Sequence, residues 1–212
     1  MVTKEADKVR GVRSLDNYMA GHNGFIAGGC FKDILSNKPF KDLDIFFNKE
    51  ADFNEANEYY SNNEEEWYFY YENDKAKSFV NRNSKVRIEL IRSTFGTPEE
   101  ILSKFDFSIT KFAYYKEESE KQEELEGLKL ATVITYKCMF HEDFFEHLMT
   151  KKLVLEKEIG YPISTFERVL RYTQYGYGLC RESKLNLLNA IRKYQSTNLD
   201  EDLSKSLYWS FD

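Results

Sequence analysis

Asp42 and Asp44 bracket Leu43 in the run Lys41-Asp42-Leu43-Asp44-Ile45-Phe46-Phe47, an alternation that fits an extended strand. In a strand, residues i and i+2 share a face. Both carboxylates then converge on one side, while Leu43, Ile45 and Phe47 pack on the other. Two like charges held so close are unfavourable unless a cation or proton compensates them. The apolar run Ile45-Phe46-Phe47 follows at once, which favours a strand over a turn. Upstream, Phe25-Ile26-Ala27 reads as a short buried strand ending at Gly28-Gly29. A glycine pair lets backbone N–H groups approach a phosphate with no side chain between. A helix opening at Cys30 would aim its positive end at the same place. Magnesium takes oxygen ligands and commonly uses one or two carboxylates together with substrate phosphates. Strand, glycine pair and paired aspartates therefore point to a divalent metal held beside a phosphate.

The 212 residues suffice for one or two domains with a sizeable core. A net charge of −6 argues against a broad basic surface for gripping long nucleic acid, while leaving room for a local basic patch. Three cysteines, Cys30, Cys138 and Cys180, lack metal-ligand spacing, and their odd number points to reduced thiols in a cytoplasm. Met1 to Arg13 is charged, unlike a signal peptide, and no apolar run approaches the length of a membrane span. A cytoplasmic protein with no membrane partner is the expectation, with oligomeric state open.

The expected fold class is mixed α/β (α+β): a small mixed sheet flanked by helices, then a helical part. Residues 4–20 have Val9, Val12, Leu15 and Met19 at helical spacing. A helix is expected over Cys30 to Leu35, a strand over Asp42 to Phe47 and a helix over 50–61. Trp67 to Tyr71 and Lys77 to Val80 read as strands around Asn73-Asp74. Val86 to Ile91 is a stronger strand with Val86, Ile88 and Leu90 on one face and Arg87, Glu89 and Ile91 on the other. Pro98 starts a short helix ending near Lys104, and Asp106 to Tyr115 reads as extended. The acidic stretch Lys116 to Glu126 is the candidate mobile loop. Helices are expected over His141 to Thr150, Ser164 to Tyr175 and Glu182 to Tyr194, with Ser164 and Glu167 at capping-box spacing. The last dozen residues read as loosely held. The pattern divides the chain into 1–140, a catalytic unit, and 141–212, a helical one.

The stretch Ile26-Ala27-Gly28-Gly29-Cys30-Phe31-Lys32-Asp33-Ile34-Leu35, followed by Lys41-Asp42-Leu43-Asp44-Ile45, closely resembles the signature of the DNA polymerase beta-like nucleotidyltransferases. The class II tRNA nucleotidyltransferase and poly(A) polymerase head domain is the most similar branch. Further matches follow in the same order. Arg87-Ile88-Glu89-Leu90-Ile91-Arg92 is similar to the strand carrying the third carboxylate. Asp106-Phe107-Ser108-Ile109-Thr110 resembles the Asp-Phe-Thr-x-Asn motif. Arg168-Val169-Leu170-Arg171, running to Tyr175-Gly176-Tyr177, resembles the arginine-bearing helix.

The resemblance implies transfer of an NMP from an NTP to an acceptor hydroxyl, with release of pyrophosphate. Asp42, Asp44 and Glu89 would be catalytic and hold Mg2+ or Mn2+, as two ions. Gly28, Gly29, Lys32, Asp33, Arg92, Asp106, Arg168 and Arg171 would bind the nucleotide. Taken alone, these residues have plainer readings. Gly28-Gly29 is also a strand-to-helix turn, and Glu89 beside Arg87 is also a surface ion pair. Asp106 also caps turns, and Lys32-Asp33 and Arg168-Arg171 also make solvated helical faces. His141 and His147 are six apart and share no helical face, which argues against a metal site. Trp67 to Tyr71 either stacks bases or fills a hairpin core.

Departures from the family pattern narrow the function. Phe105 stands where a basic residue precedes the Asp-Phe motif, and Thr165 replaces the aspartate leading the arginine helix. There is no clear Glu-Asp-x-x-Arg element for choosing CTP and ATP, nor the long helical body of the tRNA enzymes. An acceptor other than the tRNA CCA end is the expectation: another RNA, a protein side chain or a small molecule. The alternatives are an inactive nucleotide-binding or protein-interaction module of the same fold, and a toxin or defence-related nucleotidyltransferase that modifies tRNA or a host protein.

Overall fold

The computed structural model describes residues 1–121, 131–155 and 158–194. Contacts divide the chain into two compact units, one made of Met1–Phe105 with Thr110–Glu142, the other of Asp106–Ile109 with the chain from Asp143 onward.

The first unit runs β1 (Val2–Glu5), β2 (Phe25–Ala27), α1 (Phe31–Ile34), β3 (Asp42–Phe46), α2 (Glu50–Asn62), β4 (Trp67–Glu72), β5 (Ala76–Asn81), β6 (Arg87–Ile91), α3 (Pro98–Ser103), β7 (Phe112–Lys121) and β8 (Ala131–Phe140). Its strands form one sheet of order β1-β8-β7-β2-β3-β6-β5-β4. β3 and β6 are parallel neighbours, and β2 pairs antiparallel with both β3 and β7. The mixed α/β class follows directly from this arrangement.

Period two sorts the residues of the central strands. Leu43, Ile45, Ile88 and Leu90 are buried on one face. On that face Tyr60 of α2 meets Trp67 edge-on and stacks on Phe79. On the opposite face Phe25, Ala27, Phe46 and Ala113 form a cluster with Ile101 and Leu102 of α3. That helix is fixed by a capping box. The Thr97 side chain accepts from the Glu100 N–H, the Glu100 carboxylate accepts from the Thr97 N–H, and Pro98 holds the first helical position.

Several elements differ from expectation. Residues 4–20 are not one helix. Val2–Glu5 pairs with β8, a single 3-10 turn covers Ala6–Lys8, and an eight-residue 3-10 helix covers Val12–Met19. Gly11, at φ 91°, breaks the helix, although Val9, Val12, Leu15 and Met19 are buried as the pattern required. Their spacing near three suits the tighter 3-10 turn. Asp106 to Tyr115 is not one extended segment either, because a 3-10 turn at Ser108–Thr110 precedes β7. The acidic stretch continues β7 as far as Lys121, in register with β8, and Glu117 pairs with Lys137 across the ladder. The rest of that stretch, 122–130, and the tail, 195–212, lie outside the described residues.

The second unit contains α4 (Phe144–Thr150), β9 (Lys152–Leu153), α5 (Pro162–Gln174), β10 (Gly178–Leu179) and α6 (Arg181–Lys193). β9 and β10 pair in parallel. α5 opens at Pro162, so Ser164 lies inside the helix and makes no capping box with Glu167. Its hydroxyl instead accepts from Arg168. Among the described residues no helix is long and apolar enough to cross a membrane.

Candidate nucleotidyl-transfer site

The register of β3 and β6 sets the site. Asp44 lies opposite Glu89, and Asp42 lies opposite Arg87. All four side chains share the face not covered by α2, as i and i+2 positions must. Asp42, Asp44 and Glu89 therefore lie on one face of adjacent strands, with Arg87 among them. Arg87 Nε is 3.0 Å from Asp42 Oδ1 and 3.4 Å from Glu89 Oε1. Its N–H points along neither line, so these are charge contacts rather than aligned hydrogen bonds. The guanidinium also lies 5.7 Å from the centre of the Tyr70 ring.

Burial pushes the Asp44 carboxyl up to about 7, helped by the charges of Glu89 and Asp42 and opposed by Arg87. The site is therefore short of positive charge at its inner end. Cys30 is held well above its ordinary range by burial and by Asp44, so it is a thiol and not a nucleophile.

Gly28 has φ 108°, a conformation that side chains rarely adopt, and a Cβ there would lie 3.6 Å from Asp44 Oδ2. The glycine thus brings the chain against the carboxylate. Its N–H donates to the Phe112 carbonyl at 3.0 Å, while the Gly29 carbonyl accepts from Lys32 N–H at 3.3 Å. The expectation that both glycines offer N–H groups to a phosphate is thus corrected at Gly28, whose N–H the sheet uses. α1 is a single turn with Cys30 at its cap, too short for the aligned dipoles expected of a full helix. Lys32 forms an ion pair with Asp33, its chain neighbour. Arg92 does not join the carboxylates. Its guanidinium donates to Glu72 at 2.7 Å and to the Asn73 carbonyl, securing the β4–β5 hairpin.

In the second unit, Asp106 accepts from Thr165 Oγ1 at 3.1 Å and pairs with Arg168 Nη1 at 2.9 Å. The motif residue and the arginine helix are brought together there. Thr165, standing where the family pattern has an aspartate, supplies a hydroxyl donor. Arg171 is exposed one turn further along α5. His147 Nδ1 lies 2.8 Å from Ser108 Oγ, so this histidine serves a buried hydrogen bond.

A family model described as Gabija anti-defense 2 family protein matches residues 4–151. The chain belongs to the Gabija anti-defense 2 family. A relative named Gabija anti-defense 2, from Bacillus phage SPbetaL7, is 25% identical over 172 residues, covering 79% of this chain and 37% of its own length. The chain thus spans little more than a third of that relative.

Solved structures show where the fold of this Gabija anti-defense 2 family member recurs. A CCA-adding enzyme in complex with CTP has a TM-score of 0.60 at 12% identity, over 91% of this chain and 47% of that one. The Thermotoga maritima CCA-adding enzyme complexed with tRNA gives 0.56 at 13% identity, over 98% and 51%. A tRNA nucleotidyltransferase complexed with a primer tRNA and an incoming ATP analog gives 0.51 at 19% identity, over 85% and 50%. The fold is nucleotidyltransferase-like.

The donor set of this family member was tested against the implied metal. Its oxygens suit a hard divalent cation, and the raised Asp44 carboxyl marks a place where positive charge is wanted. Yet among the described residues no group of three or more His, Cys, Asp or Glu side chains is placed to hold a metal ion. Arg87 is the physical reason, because it draws Asp42 and Glu89 onto its guanidinium. In this arrangement Asp42 and Glu89 engage Arg87, and both would leave it before sharing an ion with Asp44. Read locally, Arg87 is only an ion-pair partner of Glu89. Only the β3–β6 register, which no local pattern encodes, puts it beside Asp42 as well.

Proposed function

We propose that this chain is a nucleotidyltransferase of the Gabija anti-defense 2 family, moving an NMP from an NTP to an acceptor hydroxyl with release of pyrophosphate. The observation that carries this reading is Asp44 set opposite Glu89 and against Gly28, its carboxyl raised to about 7 by burial and by the charges of Glu89 and Asp42. Asp42, Asp44 and Glu89 would hold Mg2+ or Mn2+. The bound cation would offset the charge of the triphosphate and of the attacking oxygen. Gly28 keeps the floor free of side chains where a phosphate would lie. Glu89 would accept the proton of the acceptor hydroxyl. Arg87, released from Asp42, is a donor for the phosphates. Lys32 would be a further donor to the nucleotide. The family name attaches the activity to defeating Gabija defence, with RNA, a protein or a small molecule as acceptor.

Incubation with each α-labelled NTP, Mg2+ or Mn2+ and a cell lysate tests the proposal. A labelled acceptor that disappears with Asp42→Asn plus Asp44→Asn, in a folded variant, supports it. Label that survives the double change removes the role of the pair.

A second reading is a nucleotide-binding module without turnover. The position of Arg87 between Asp42 and Glu89 favours it, since an internal cation satisfies those carboxylates. Calorimetry with NTP and Mg2+ separates the two: binding without product from any acceptor identifies the module.

A further inference from the structure

The rows of the sheet connect the carboxylates to an aromatic edge. Asp42, Arg87, Val80 and Tyr68 are successive cross-strand partners on β3, β6, β5 and β4. Asp44, Glu89, Ser78 and Tyr71 make the adjacent row. Directly opposed residues share a face, so Tyr68 and Tyr71 stand on the same side of the sheet as the candidate site. From Asp44 to Tyr71 is three strand spacings, roughly 14 Å. The short side chains of Val80 and Ser78 separate the two ends.

β4 is an outer strand of the sheet, and its pairing with β5 shifts between Phe69 and Tyr71. The extra residue, Tyr70, is 54% exposed, and Arg87 lies over its ring. Tyr68 is 37% exposed and carries Arg82 at 5.3 Å from its ring centre. Arg82 Nε donates to the Glu64 carbonyl, a neutral acceptor, which fixes the guanidinium over the tyrosine without cancelling its charge. Charged side chains and bulges usually blunt an edge strand. Here the bulged edge also presents the Tyr68 and Tyr70 rings, each with an arginine over it.

We propose that this edge is the acceptor track of the enzyme, and that the acceptor is a single-stranded nucleic acid. Tyr68 and Tyr70 offer faces for successive bases, and Arg82 and Arg87 meet the intervening phosphates. Stacking tolerates any base and needs unpaired ones, so duplexes are poor ligands. The track is local, which reconciles nucleic-acid binding with a net charge of −6. It ends at Arg87, so a strand lying along it delivers its terminal hydroxyl beside Asp42 and Glu89. This inference rests on the transfer reading for what happens at that end, while the binding itself does not.

Anisotropy of labelled oligonucleotides, roughly twelve nucleotides long to cover one such surface, tests the track in EDTA without NTP. RNA and DNA single strands and a duplex are compared. The expected result is preference for a single strand, with Tyr68→Ala plus Tyr70→Ala weakening it by about tenfold or more. The corresponding Tyr→Phe pair retains affinity, because the ring and not the hydroxyl makes the contact. Arg82→Ala weakens binding and flattens its salt dependence. The tighter of the RNA and DNA arms names the acceptor. No binding by the unaltered protein, or unchanged affinity in the folded Ala pair, overturns the proposal. Transfer to a protein or small molecule without oligonucleotide binding also overturns the track while leaving nucleotidyl transfer intact. Single-strand binding by a protein that transfers no NMP upholds the track and overturns the transfer reading, so failure of chemistry and failure of binding are told apart.

Discussion

Asp44 stands directly across from Glu89 in the parallel register of β3 and β6, and the cost of that proximity is written in its proton affinity. Burial first, then the Glu89 and Asp42 charges, raise its carboxyl to about 7 from 3.8. Because the folded value lies above the unfolded one, this stabilising contribution is complete below pH 3.8 and is lost as pH rises through 7. Ionised Asp44 thus burdens the metal-free fold at pH 8. Asp44→Asn is expected to raise stability there by about 1–2 kcal/mol, less than the full shift implies because Asp44 keeps partial solvent contact. The gain should vanish near pH 4. Denaturant unfolding at the two pH values checks this, and Mg2+ should stabilise the unaltered protein more than the variant.

Arg87 is the counter-charge of the metal-free site. Removing it with Arg87→Ala leaves Asp42 and Glu89 facing each other without compensation. Metal-free stability at pH 8 is expected to fall by about 1–2 kcal/mol. Affinity for Mn2+ is expected to rise several-fold, since two carboxylates no longer have to be taken from an internal cation. Unfolding curves in EDTA and calorimetric titration with Mn2+ measure the two effects.

The sequence carried the strands of the site because each is encoded by a local alternation. Asp42-Leu43-Asp44-Ile45 and Arg87-Ile88-Glu89-Leu90 sort their charged and apolar residues to opposite faces without outside help. Their mutual register is not local, so the Arg87–Asp42 contact was invisible. The helix expected over 4–20 failed because pairing of Val2–Glu5 with β8 outweighs a helical pattern already broken at Gly11. Asp106–Ile109 illustrates the same limit. The Asp-Phe motif was legible, but its place among the helices depends on Phe107 bridging to Leu155 and packing on Tyr172. Thr165 was noticed as a departure, and only the coordinates reveal its hydroxyl on Asp106.

His22 gives the fold a second pH dependence of opposite sign. Its Nδ1 accepts from Gly24 N–H at 3.0 Å, so the neutral ring carries its proton on Nε2, 3.2 Å from the Tyr18 carbonyl. Burial and, secondarily, the Lys116 charge lower it from 6.5 to about 4. A folded value below the unfolded one means the stability is complete above pH 6.5 and is lost as pH falls toward 4. The expected loss attributable to His22 is on the order of 2–3 kcal/mol. An NMR titration of the ring, with unfolding measured from pH 7 to pH 4 beside His22→Asn, checks both the value and the slope.

In the helical unit, Asp106 holds Thr165 and Arg168 together. A double-mutant cycle of Asp106→Asn and Arg168→Ala should give a coupling of roughly 0.5–1 kcal/mol in stability, modest because Arg168 is partly solvated. Coupling near zero would leave Thr165 as the residue that orders Asp106.

The central claim is that Asp42 and Asp44 serve nucleotidyl transfer and not merely the fold. Its most direct measurement is transfer of labelled NMP by the unaltered protein and by the Asp42→Asn plus Asp44→Asn variant, with Mg2+ or Mn2+ and a lysate, folding being checked by circular dichroism. The account predicts a labelled acceptor with the former and at least a hundredfold less with the latter, on the order of the ~3 kcal/mol or more that such groups supply. Equal labelling by a folded double variant would contradict it.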